Sequence, residues 1–156
     1  MEFRRNNVYN RAIIHFKRQV KILSTKDSPS LDQFQGQVSQ LLLRHRSVLD
    51  IMSKLDQTSA AVNRSVTKAI TDCGCIELNA TKQPYNELQS LDGSQSTIKN
   101  HLSGQLCEHC KELIESSLGR NLFYLTALCT QLQLDLSHVV ATESTKCSTL
   151  GLFNLT

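Results

Sequence analysis

From Leu31 to Ala69 the chain repeats apolar positions at alternating spacings of three and four. The series runs Leu31, Phe34, Val38, Leu41, His45, Val48, Met52, Leu55, Ser59, Val62, Val66 and Ala69, and only His45 and Ser59 depart from apolar character. Such spacing keeps one face of an α-helix turned to a core. Leu42, Leu49 and Ile70 widen the stripe, which suits a helix packed in a bundle better than a bare two-stranded coiled coil. Ser30 with Gln33 three residues on has the form of a capping box at the start. The span is compatible with one long helix or with two that break near residues 44–47. Asp72-Cys73-Gly74-Cys75 ends the pattern.

Residues 79–97 are rich in Asn, Gln, Ser, Pro, Asp and Gly and read as an exposed, mobile interhelical loop. A second helical region is expected from about Ser96. Ile98, Leu102, Leu106, Cys110, Leu113, Ile114, Leu118, Leu122, Leu125, Leu128, Cys129 and Leu132 form its apolar face, and Gly104 and Gly119 are candidate breaks. Asp135 is placed to cap a last helix over residues 136–145, after which Leu150, Leu152, Phe153 and Leu155 are candidates to staple the bundle. No strand and no internal repeat is expected. The predicted class is all-α, a helical bundle.

Composition agrees with this. The chain has 156 residues, 40% hydrophobic and 20% charged, with 6 Gly and 2 Pro, which excludes an intrinsically disordered chain. With aromatics at 5% and no Trp, the core must be built from aliphatic residues. The net charge of +3 is unevenly spread. Met1 to Lys26 holds seven cations against Glu2 alone, whereas from Asp27 onward thirteen acidic residues outnumber ten basic ones. Residues 1–29 therefore read as a basic leader, a flexible segment or, by its spaced apolar residues, an arm for nucleic acid or a membrane surface; residues 30–156 form the bundle domain. Apart from that leader, no nucleic-acid partner is expected. Ala12, Ile13 and Ile14 are too short a run for a signal-peptide core, and no stretch approaches the ~20 residues of a membrane span, so a cytoplasmic location is expected.

The best-marked chemistry is sulfur. Cys73 and Cys75 flank a glycine beyond a helix end, and Cys107 and Cys110 lie three apart, on one face of a predicted helix. Four thiolates about 2.3 Å from a tetrahedral ion make a structural zinc site. The 31 residues between the pairs exceed the common finger spacings. An iron–sulfur cluster uses the same ligands, but the ferredoxin spacings are missing. A redox pair at Cys107 and Cys110, or buried inert thiols, are the other readings. Cys129 and Cys147 read as core or incidental. His101 and His109 are near enough in sequence to substitute as ligands, although His109 is expected to point away from its flanking cysteines. His45 reads as a core or interface histidine.

The segment from Glu115 to Cys129 (Glu-Ser-Ser-Leu-Gly-Arg-Asn-Leu-Phe-Tyr-Leu-Thr-Ala-Leu-Cys), continuing to Val140, resembles the third and fourth helices of MazG-like all-α nucleoside triphosphate pyrophosphohydrolases. A looser similarity covers Met52 to Ile70. The resemblance implies a MazG-like bundle that assembles as a homo-oligomer through its helices. In that family, carboxylates on adjacent helices hold Mg²⁺ against a triphosphate. Here Ser117 and Arg120 stand at two of those positions, and Gln57, Ala60 and Ala61 at others, with Asp56 the surviving acid. The expectation is a non-catalytic or regulatory protein. Arg120, with Lys111 or Arg64, is the candidate set for a nucleotide or other phosphate ligand. The alternatives are a magnesium-dependent pyrophosphohydrolase with a shifted site of Asp56, Glu112 and Glu115, and a helical dimeric interaction protein. No P-loop, GxSxG, HExxH or GxGxxG occurs.

Overall fold

The structure is a computed structural model that describes residues 28–42, 47–83 and 98–150, the last without its side chain. The chain divides into two units, Met1–Ser30 and Leu31–Thr156, and the architecture below is that of the second. The basic leader, His45, the apolar residues beyond Leu150 and most of the 79–97 connection lie outside the described residues.

Among the described residues four α-helices dominate: α1 (Leu31–Leu41), α2 (Val48–Lys68), α3 (Glu108–Gln131) and α4 (Leu136–Leu150). The class is all-α, as the periodicity predicts. Ser47 has extended backbone angles (φ −70°, ψ 132°) immediately before α2, so the heptad-like span is two helices. Asp135 does cap α4, its side chain accepting the His138 N–H at 3.1 Å. The helix runs five residues beyond the expected end.

Two features depart from expectation. Residues 102–104 are not helical but form strand β2 (Leu102–Gly104), which pairs antiparallel with β1 (Ile76–Leu78) in the register Ile76 with Gly104 and Leu78 with Leu102. Three residues per strand are too few for the period-two alternation that signals a strand. Gly119, a candidate break, lies inside the continuous α3.

The second departure concerns the core. Val38, Leu42, Ile51 and Ala127 form one buried cluster, against which Phe34, Phe123 and Leu128 pack. Ile51 is fully buried, while its stripe neighbours Met52 and Leu49 are 50% and 74% exposed. Val48, Leu55 and Val62 of α2 are half-buried as the stripe predicts, whereas Met52, Ser59 and Val66 are exposed and Ile51, Thr58 and Ser65 take the inward positions beside them. Along α3, Leu118, Leu122, Leu125 and Leu132 are exposed and the small residues Ser117, Thr126 and Ala127 are buried. Small side chains let α2 and α3 approach closely. Asn121 of α3 reaches across to Thr58 Oγ1 (3.2 Å) and the Leu55 carbonyl (3.4 Å) of α2.

Candidate metal centre

α2 passes at Ala69–Cys73 into a π turn, the wide i→i+5 form often found at functional sites. Gly74 ends it in the left-handed conformation (φ +68°), which glycine adopts without steric cost. The chain thereby doubles back at once, bringing Cys75 beside Cys73 and leading into β1. The ribbon returns the chain through β2 to Cys107, the N-cap of α3, whose sulfur accepts the Cys110 N–H at 3.5 Å.

All four candidate ligand sulfurs, of Cys73, Cys75, Cys107 and Cys110, lie within 4.8 Å of one another. The Cys73 and Cys107 sulfurs are 3.7 Å apart. The edge of a tetrahedron with metal–sulfur bonds of about 2.3 Å is about 3.8 Å, so the spacing fits a thiolate-bound ion. A metal-sized arrangement of donors is therefore present.

The surroundings favour ligation. Ala69, Ile76 and Cys110 are buried together, with Ile70, Cys75, Cys107 and Ile114 packed on them, so one side of the cluster is apolar. Cys73 is exposed and opens the other side to solvent. Three of the thiols, those of Cys73, Cys107 and Cys110, differ in acidity. The Cys110 amide, then its thiol and that of Cys73, hold Cys107 down at about 7, from an ordinary 9.0. Burial, reinforced by the neighbouring thiols, pushes Cys110 up to about 12. For Cys73 the contact with Cys110 acts downward, but those with Cys107 and Cys75, together with burial, outweigh it and leave the thiol raised. Cys107 ionises first and is the natural entry ligand.

Among the described residues this is the sole gathering of three or more His, Cys, Asp or Glu at ligating distance. Asp56 on α2 and Glu112 and Glu115 on α3 are exposed and form no such group. His101 is committed elsewhere: its Nδ1 accepts the Thr81 N–H at 2.8 Å, and its ring also meets Gln83 beyond the end of the ribbon remote from the cysteines. Cys129 is buried in the bundle and Cys147 is exposed on α4.

A cleft of about 340 Å³ adjoins the cysteines, walled by Arg64, Lys68, Asp72, Cys73, His109, Cys110 and Arg120 over a floor that includes Ala61, Ser65 and Ser117. His109 thus shares a wall with Cys73 and Cys110 without joining the sulfur group. A second cleft of about 280 Å³ shares Ala61, Ser117 and Arg120 and adds Lys54, Gln57, Thr58 and Tyr124. Of the three candidate phosphate ligands, Arg64 and Arg120 lie here, whereas Lys111 lines neither cleft. Lys54 and Lys68 belong to the same surface and were not singled out by the sequence; their spacing on one side of α2 was the available signal.

Comparison with protein-family models, curated proteins and solved structures finds no significant match.

Proposed function

We propose that this chain is a divergent MazG-like helical protein that binds zinc through Cys73, Cys75, Cys107 and Cys110 and serves a binding or regulatory role rather than hydrolysis. The convergence of four sulfurs within 4.8 Å carries the reading. The bound ion ties the end of α2 to the start of α3 and so fixes the root of the ribbon between them. Zinc is preferred to an iron–sulfur cluster because the pairs lack ferredoxin spacing. Thiolate ligands of this kind suit a reducing, cytoplasmic setting. Elemental analysis of the purified protein tests it: one zinc per chain is expected, and metal-free protein that retains full thermal stability overturns it.

The MazG-like part of the reading is supported by position. Gln57, Ala61, Ser117 and Arg120, at sites where that family holds carboxylates, line one cleft between α2 and α3. With a guanidinium and small neutral groups there, a Mg²⁺-triphosphate complex has no carboxylate cage, and a nucleotide or other phosphate compound becomes a ligand rather than a substrate. Magnesium-dependent release of pyrophosphate from a triphosphate panel would favour instead a hydrolase built on Asp56, Glu112 and Glu115. The exposed leucines of α3, Leu118, Leu122 and Leu125, support a homo-oligomer joined through helices, which light scattering measures directly.

A further inference from the structure

The geometry points to one continuous groove between α2 and α3 that binds a ligand carrying two or more phosphate groups, with Arg120 at its centre and Arg64 and Lys68 at the end beside the cysteines. This deepens the reading of the chain as a phosphate-ligand protein and rests on it.

The two clefts share Ala61, Ser117 and Arg120, so they form a single channel. Its floor stays open because Ala61, Ser65 and Ser117 are small, and Ser117 turns its hydroxyl back to the Leu113 carbonyl at 2.9 Å. Four cations stand along the channel, Lys54, Arg64, Lys68 and Arg120, against one carboxylate, Asp72. That carboxylate already accepts from Lys68 at 2.9 Å.

A solvated helix surface usually alternates its charges, and this one does not. Arg64 and Lys68 are a like-charged i, i+4 pair, and Asp72, paired with Lys68 at 2.9 Å, is the one carboxylate of the groove set against them. Arg120 has Ser116, Ser117, Phe123 and Tyr124 at its i±3 and i±4 positions and therefore no carboxylate at the neighbouring positions of its own helix. Its Nε donates to the Ser116 carbonyl at 3.3 Å, which anchors the guanidinium over the groove. The terminal nitrogens of such a group form the fork that grips phosphate oxygens in pairs.

Lys54 and Arg64 are ten residues apart, about 15 Å along the axis of α2. A single phosphate cannot meet cations that far apart, so a ligand that engages both ends of the groove is a longer oligophosphate chain or a nucleotide whose phosphates occupy the Arg64 and Arg120 end. In the latter case the base lies toward Tyr124, Gln57 and Thr58.

Calorimetric titration of the purified full-length protein with sodium tripolyphosphate, and separately with a nucleoside triphosphate, tests this, with zinc content measured in each sample. Wild-type protein should bind, Arg120→Ala and Arg64→Ala should each weaken binding tenfold or more, and Lys146→Ala, remote on α4 and paired with Glu143, should leave it unchanged. Arg120→Lys should restore only part of the loss, because an ammonium lacks the fork. Equal affinity for the two compounds assigns the phosphate chain alone, and tighter binding of the nucleotide adds the base; both uphold the groove. No binding of either compound, or unchanged affinity in Arg120→Ala with its helical content intact, overturns it. Zinc content separates the two readings: Arg120-dependent binding by zinc-free protein keeps the groove and removes the metal centre.

Discussion

The sulfurs of Cys73 and Cys107 meet at 3.7 Å although the two residues are 34 positions apart in sequence. Two α-helix ends, a π turn and a two-stranded ribbon are needed to bring them there. Replacing either by serine removes one thiolate while preserving volume. Because altering even an outer partner of a metal ligand commonly costs 10–100-fold, Cys107→Ser should lower zinc affinity by more than ~100-fold. Zinc competition with a chromophoric chelator measures this. The same chelator should lower the melting temperature of wild-type protein but leave that of Cys107→Ser nearly unmoved, since binding to the folded state alone is what raises stability.

The acidities of the thiols give a pH-dependent prediction for the reduced, metal-free protein. The thiolate is the reactive form, and Cys107 titrates at about 7 whereas Cys110 is raised to about 12. Iodoacetamide at pH 7 should therefore label Cys107 well before Cys110. Lowering the pH through the Cys107 value protonates it, so its labelling should slow about fivefold between pH 7 and pH 6. Peptide mapping by mass spectrometry reads both. Labelling of Cys110 ahead of Cys107 would contradict the hydrogen-bond pattern at the N-cap of α3.

How far the sequence carried these results depends on the range of the interaction. Helix existence was legible because local spacing sets it, and the cap at Asp135 follows from neighbouring residues, whereas the stripe left one helix or two equally open before Val48. The four cysteines were legible as a set by their chemistry, but their convergence depends on Gly74 reversing the chain and on Ile76 pairing with Gly104. Neither leaves a periodic trace. Along α2 the stripe was right at Val48, Leu55 and Val62 and one position off at Met52, since Ile51 and Met52 are equally apolar and only packing against Ala127 decides between them. The groove was half legible. Arg64 and Arg120 stood out, while Lys54 and Lys68 acquire meaning only once α3 lies alongside α2.

That choice between neighbours is open to measurement. Ile51 is fully buried in the cluster with Val38, Leu42 and Ala127, so Ile51→Ala removes buried methylenes and leaves a cavity. The expected cost is about 2–5 kcal/mol. Met52 is half exposed, and Met52→Ala should change stability by no more than ~0.5 kcal/mol. Urea unfolding followed by circular dichroism gives both values, and a larger loss for Met52 would mean that Met52, and not Ile51, lies inward.

The ribbon offers a test of how backbone geometry supports the metal centre. Gly104 has φ +85°, and a Cβ added there would sit 2.6 Å from the carbonyl oxygen of Cys75, a backbone atom of a ligand residue. Neither partner can yield without moving the strand pair. The left-handed conformation alone costs a non-glycine residue about 1–3 kcal/mol, and relief of the clash must displace Cys75. Gly104→Ala should therefore lower both the melting temperature and the zinc affinity. Gly119 is the control, because it lies within α3 with nothing within 4 Å of an added Cβ. There alanine should stabilise the helix by up to ~1 kcal/mol and leave the metal untouched. Thermal melts with and without chelator distinguish the two effects: destabilisation of Gly104→Ala at unchanged zinc affinity would show that Cys75 is positioned independently of the ribbon.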